Sequence, residues 1–241
     1  MIKFYWGKKV CNNFWMIYAP RVVALFFIFF NVIGMYLYPG GTIHNPDSAN
    51  YQLAHNFFSD LGRAVAHNGL QNFHASFIFN LTLLLIGTTF CIFYFAMSSL
   101  FKDTKLNLIL SNLGAIFGLL AGLSFIGVAL TPSDLNLGLH VFFANSIFRM
   151  ALATSLCFGV VIIRTSVIPS KYAVGYFLFS VALIIYIGVG EYGPSARESE
   201  IAMVFQVVAQ KVIVLIFLLS VVYQTFGFSN NPILLKKNRY F

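Results

Sequence analysis

Residues 19–38 read APRVVALFFIFFNVIGMYLY, and residues 39–74 continue PGGTIHNPDSANYQLAHNFFSDLGRAVAHNGLQNFH. In the first stretch only Arg21 and Asn31 interrupt a hydrocarbon and aromatic run. A helix crosses a bilayer with about 20 such residues. The second stretch opens on the turn sequence Pro39-Gly40-Gly41 and carries His44, Asp47, His55, Asp60, Arg63, His67 and His74. Apolar residues resume at Ala75. The pattern is a span, a long polar connection and a second span.

Five further segments meet the same length criterion: 75–98, 106–130, 139–163, 172–190 and 201–228. The fold class expected is all-α, a polytopic integral membrane protein with six transmembrane helices, forming one domain over 1–241 with the loop at 39–74. Composition agrees. The chain is 59% hydrophobic and 9% charged, whereas soluble domains carry about 25% charged residues. So little charge cannot clothe a surface in water, and the exterior must meet a lipid bilayer. Lys3, Lys8 and Lys9 ahead of an apolar run imitate a signal peptide. The run is long enough to span and no small-x-small site follows, so an uncleaved first span is expected. Phe4, Tyr5, Trp6, Phe14, Trp15 and Tyr18 mix aromatics with these lysines, as an interfacial anchor does.

Basic residues set an expected orientation. Six spans put both termini on one side, with Lys3, Lys8, Lys9, Arg21, Lys102, Lys105, Arg164, Lys171, Lys236, Lys237 and Arg239. The opposite loops hold only Arg63 and Arg197. The positive-inside rule then places both termini in the cytoplasm and the 39–74 loop on the outer, periplasmic or extracellular, side. The net charge of +8 is spread over helix ends rather than gathered into a stripe, which argues against a nucleic-acid partner. Cys11, Cys91 and Cys157 have no metal-ligand spacing and suit small buried residues. The spacing Gly114-x-x-x-Gly118-x-x-x-Gly122 puts three glycines on one helix face, for close packing within the bundle or for a dimer face.

Arg149 and Lys211 fall about ten residues into their spans, on the order of 15 Å from the outer end. A lone cation at that depth costs roughly 2.5–3.5 kcal/mol. Asn145 precedes Arg149 by one turn, and Gln206 and Gln210 lie beside Lys211. These stripes predict a wet cavity opening outward. Two readings follow: the cations snorkel, or pair with Asp60, Asp134 or Glu191, and simply lock the bundle, or they face one cavity and bind an anionic lipid headgroup or small anion.

Within the loop, Leu53, Phe57, Phe58 and Leu61 recur at helical spacing, predicting a short amphipathic helix over Asn50–Gly62. Asn68-Gly69 predicts a turn. His55, Asp60, His67, His74 and His140 are candidate metal ligands, but no His-x-x-x-His or His-Glu-x-x-His spacing supports zinc. His74 and His140 start their spans instead of lying inside them, which does not suit a haem. No cofactor is assigned. Ser59 and Asp60 could belong to a hydrolytic set. Neighbours on a helix point about 100° apart, so the base would come from another element, with His74 and His140 as candidates. The other reading makes Ser59 or Asp60 a helix cap or an ion-pair partner.

The run Asn56-Phe57-Phe58-Ser59-Asp60-Leu61-Gly62, with Gly127, Thr131-Pro132-Ser133-Asp134 and His140, resembles the uncharacterised six-span membrane proteins catalogued as domain of unknown function 998. The resemblance covers roughly Arg21 to Phe228. It implies a shared outer site of Asn56, Ser59, Asp60, Asp134 and His140, and implies no reaction. A fainter likeness is to seven-span metal-dependent lipid hydrolases, although this chain has one span fewer and lacks paired His on its last span. The leading expectation is a membrane protein that binds or transports an anionic or headgroup ligand. The rivals are a membrane-embedded lipid hydrolase, with or without zinc, and a structural or assembly protein.

Overall fold

The structure, a computed structural model, describes residues 12–229. The basic and aromatic residues before Asn12, Cys11, and the basic cluster Lys236, Lys237 and Arg239 lie outside the described residues. Six helices follow in order: α1 (Ala19–Leu37, continuous with a π-helical turn Phe14–Tyr18), α2 (Phe73–Ser98), α3 (Lys105–Leu130), α4 (Leu137–Arg164), α5 (Lys171–Tyr192) and α6 (Glu200–Ser229). Each is long and apolar enough to cross a membrane. Among the described residues there is no strand, only the isolated bridges Gly40–Ala49 and Val65–Gln71.

Local chemistry sets the helix ends. Pro20 stands in the first turn of α1, where a missing N–H is harmless. Thr104 caps α3 by accepting from the Asn107 N–H, and Asn136 caps α4 by accepting from the Leu139 N–H, both at 3.1 Å. Short turns at 99–104, 131–136, 165–170 and 193–199 reverse the chain, so consecutive helices are antiparallel neighbours. α6 returns to α1, and Arg21 ties the two by donating to the Thr225 and Ser229 hydroxyls at 2.7 and 3.0 Å.

The bundle centre is aromatic. Phe217 of α6 packs against Phe90 of α2, Phe125 of α3 and Phe179 of α5, with centroids 5.2, 5.7 and 5.2 Å away. The exterior is as apolar as the interior: Leu25, Phe29, Val32, Leu85, Leu120, Leu178 and Ile185 are all exposed. An apolar outside around an apolar core belongs to a multi-pass membrane protein. The glycine face of α3 is taken up within the chain. A Cβ on Gly118 would lie 2.5 Å from Tyr94, one on Gly122 2.5 Å from Cys91, and one on Gly114 2.9 Å from Phe158.

The amphipathic helix expected over Asn50–Gly62 does not form. Residues 53–55 form a turn with a bend at Asn56, and only a 3-10 segment Phe58–Gly62 follows. Side chains take the N–H groups a helix would use: Asn56 Oδ1 accepts from the Gln52 N–H and Asp60 Oδ2 from the Phe57 N–H, both at 2.9 Å. Such capture competes directly with helix formation. The Asn68-Gly69 turn is present, with Gly69 at φ 83°.

Candidate functional site: a polar cap on one end of the bundle

The 39–72 connection folds over the end of the bundle where the 131–136 and 193–199 turns also lie. Asn56 is fully buried. Its amide donates to the Gly41 carbonyl at 2.9 Å and to Asp60 Oδ2 at 3.1 Å. Asp60 is 4% exposed and its other oxygen, Oδ1, meets His67 Nε2 at 3.1 Å. A carboxylate only accepts, so His67 presents an N–H at Nε2, and a neutral ring would keep Nδ1 as its acceptor. The His67 N–H donates to the Tyr38 hydroxyl at 3.2 Å.

The acids are committed to donors of the cap itself. Asp60 accepts from Asn56, the Phe57 N–H and His67. Asp134 accepts from the backbone N–H groups of Ala64 and Val65 at 3.1 and 2.9 Å, pinning the α3–α4 turn to the cap. His140, 5% exposed, faces the Thr131 carbonyl through Nδ1 at 2.7 Å, and the charges of Asp60, Arg63 and Asp134 all reach it. Arg63 donates to the Val65 carbonyl through Nε at 3.0 Å. Its two terminal nitrogens have no hydrogen-bond partner among the described residues. Burial, helped by the Asp60 charge, pushes the Tyr38 hydroxyl up to about 12 and raises Tyr51 further.

α6 holds the cap down from below. Lys211 donates to the Asn56 carbonyl at 2.5 Å and lies 5.5 and 5.2 Å from the ring centroids of Tyr51 and Phe58. Gln210 Oε1 accepts from the Phe58 N–H at 2.9 Å. At the rim, His55 meets Glu200 at 3.2 Å, and His44 Nε2 donates to the Ala196 carbonyl at 2.8 Å.

Several sequence expectations are corrected here. Arg149 and Lys211 are not two unpaired cations on one cavity. Arg149 pairs with Glu191, which stands on the last turn of α5 because that helix runs past residue 190 to Tyr192. Asn145 joins them around a separate cleft of about 40 Å³. Gln206 turns to the Val189 and Pro194 carbonyls, each at 3.1 Å, and finishes the end of α5. His74 is exposed on the first turn of α2, with its ring against Phe73, so it is not the partner of Asp60. That partner is His67, entertained from sequence only as a weak metal ligand. Ser59 is half-buried and makes no bond to Asp60. No three His, Cys, Asp or Glu side chains converge as a metal ligand set among the described residues. Arg63 was noted in the loop without a role. Nothing in spacing marks it, because its neighbours His140 and Asp134 come from another helix and turn. No family model, no curated protein and no solved structure matches the chain.

Proposed function

We propose that this multi-pass membrane protein, with both termini cytoplasmic, uses its outer cap to bind a phosphate- or carboxylate-bearing ligand, a lipid headgroup or a small anion, at Arg63 and His140. One observation carries this reading. The acids within reach are satisfied by other donors, while the terminal guanidinium nitrogens of Arg63 remain uncommitted. An Arg fork is built to take two oxygens of one anion. In this reading His140 and the cap backbone belong to the same site, beside the Asp60, Asn56 and Lys211 network. The sorting of basic residues to the opposite loops supports the orientation. Membership of the domain of unknown function 998 family is kept as part of the proposal, since Asn56, Asp60, Asp134 and His140 meet at one end.

The test is thermal unfolding in detergent with added short-chain phosphatidylglycerol or inorganic phosphate. The melting temperature of the native chain rises with either ligand. Arg63→Met abolishes the rise, and Arg63→Lys keeps part of it. Equal shifts in native and Met proteins refute the site. A rise with the lipid alone assigns the headgroup; a rise with both assigns the anion.

A second reading rests on the Asp60–His67 pair. The carboxylate orients the imidazole, and Nδ1 is left to accept a proton from water, as in general-base hydrolysis. Ester turnover by the purified chain that His67→Gln removes would favour this; no turnover on phospholipid or monoester substrates would remove it.

A further inference from the structure

An apolar groove of about 300 Å³ opens between α5 and α6 near the end of the bundle opposite the cap. Val174, Gly175 and Leu178 form one wall, and Leu219, Ser220 and Tyr223 the other. Val174, Leu178 and Leu219 are exposed on the bundle exterior at 56%, 66% and 59%. Gly175 lets the Tyr223 ring lie against α5, since a Cβ there would come within 2.6 Å of it. The Tyr223 hydroxyl donates to the Lys171 carbonyl at 3.2 Å and closes the groove's end.

Two polar groups attend this otherwise hydrocarbon surface. Ser220 is 8% exposed and lines the groove, yet among the described residues its hydroxyl has no hydrogen-bond partner. Thr154 and Ser180 in neighbouring helices instead donate to a carbonyl one turn back, at 2.8 Å each. The Ser220 hydroxyl opens on the groove and is free to donate to a ligand acceptor there. Lys171, at the first position of α5, is exposed and has no carboxylate partner among the described residues; its ammonium stands 5.4 Å from the Tyr172 ring centroid. The 22 residues of α5 span about 33 Å at 1.5 Å each, against a hydrocarbon core of about 30 Å. Lys171 therefore stands at the membrane boundary. Ser220 precedes Tyr223 by nearly one turn and lies about 5 Å deeper.

That vertical order, a cation, then a hydroxyl donor, then an apolar trough, matches phosphate, ester carbonyl and acyl chain. We propose that the α5–α6 groove binds one diacyl phospholipid. Lys171 holds its phosphate, Ser220 donates to a glycerol-ester carbonyl, and one acyl chain runs along Val174, Leu178 and Leu219. This site is independent of the cap at the other end.

The experiment is native mass spectrometry of the full chain released from detergent, with lipid identified after extraction. One phospholipid per chain is expected on the native protein and on Arg63→Met. Lys171→Gln, which removes a charge-assisted contact, lowers occupancy about tenfold. Val174→Trp fills the trough from the exposed side, where the fold has room for it, and removes the lipid. Leu130→Trp, a similar change at another exposed position, leaves it in place. Three results overturn the site: retention equal in all variants, which denotes annular lipid only; a bound species without phosphate, such as a sterol; or cysteine crosslinking at Val174→Cys showing a second copy in the groove.

Discussion

Asp60→Ala removes the acceptor of three donors at a position 4% exposed. The Phe57 N–H, the Asn56 amide and His67 Nε2 lose bonds of 2.9, 3.1 and 3.1 Å. Each buried donor left unpaired costs about 1–3 kcal/mol. The Asn56 amide keeps its bond to Gly41, and His67 can shift its proton to Nδ1, so the lower half of each range applies. The sum is about 3–6 kcal/mol. Asp60→Asn keeps one oxygen for Phe57 and Asn56, and its amide can donate to a His67 that has changed tautomer. Only charge assistance is lost, about 1–2 kcal/mol. Reversible unfolding in mixed micelles, followed by far-UV circular dichroism, measures both. A loss under about 1 kcal/mol for Ala, or equal losses for Ala and Asn, would refute the network as the cap's organising element.

Lys211→Met removes a charged donor and two ring contacts but leaves the Asn56 carbonyl bonded to the Tyr51 hydroxyl at 2.9 Å. Relief of a half-buried charge offsets part of this. A loss of about 1–2 kcal/mol and faster proteolysis within residues 39–72 are expected; unchanged cleavage counts against Lys211 as the fastening. Tyr38 carries a folded-state pKa raised to about 12 by burial and the Asp60 charge. A raised value gives stability that is intact below about pH 10, the ordinary tyrosine value, and is lost as pH climbs through the folded-state value. Tyr38→Phe flattens that alkaline decline relative to the native chain, which a pH series of melting temperatures reads. Gly118→Ala drives a methyl to 2.5 Å from Tyr94 and is expected to cost about 1–3 kcal/mol. Gly188→Ala, with nothing within 4 Å, costs nothing in the same unfolding assay. Equal effects would mean the glycine face of α3 does not set the approach of α2.

The helices were legible because burial in lipid demands long uninterrupted apolar runs, and such runs are visible in sequence. The run at 139–163 became Leu137–Arg164 and that at 106–130 became Lys105–Leu130. The run ending at 190 extends to Tyr192, and Glu191, one of the three acids the sequence offers as partners, meets Arg149 from that last turn. The cap was not legible. Its periodicity suggested a helix, but Asn56 and Asp60 side chains captured the backbone first. Its decisive contacts also join residues far apart, as Lys211 does to Asn56 across 155 positions. Asp60 and His67 meet because the chain turns back between them, which no fixed spacing encodes.

Closure of the ring by α6 has a consequence for biosynthesis. The cap is translated early, after the first helix, yet its fastenings Gln210 and Lys211 and the Arg21 partners Thr225 and Ser229 emerge last. Until the sixth helix enters the bilayer, the Asn56 carbonyl and the Phe58 N–H lack their α6 partners. Maturation of the cap is therefore a late, concerted event, and a nascent chain halted after the fifth helix would present an unfastened loop to quality-control proteases.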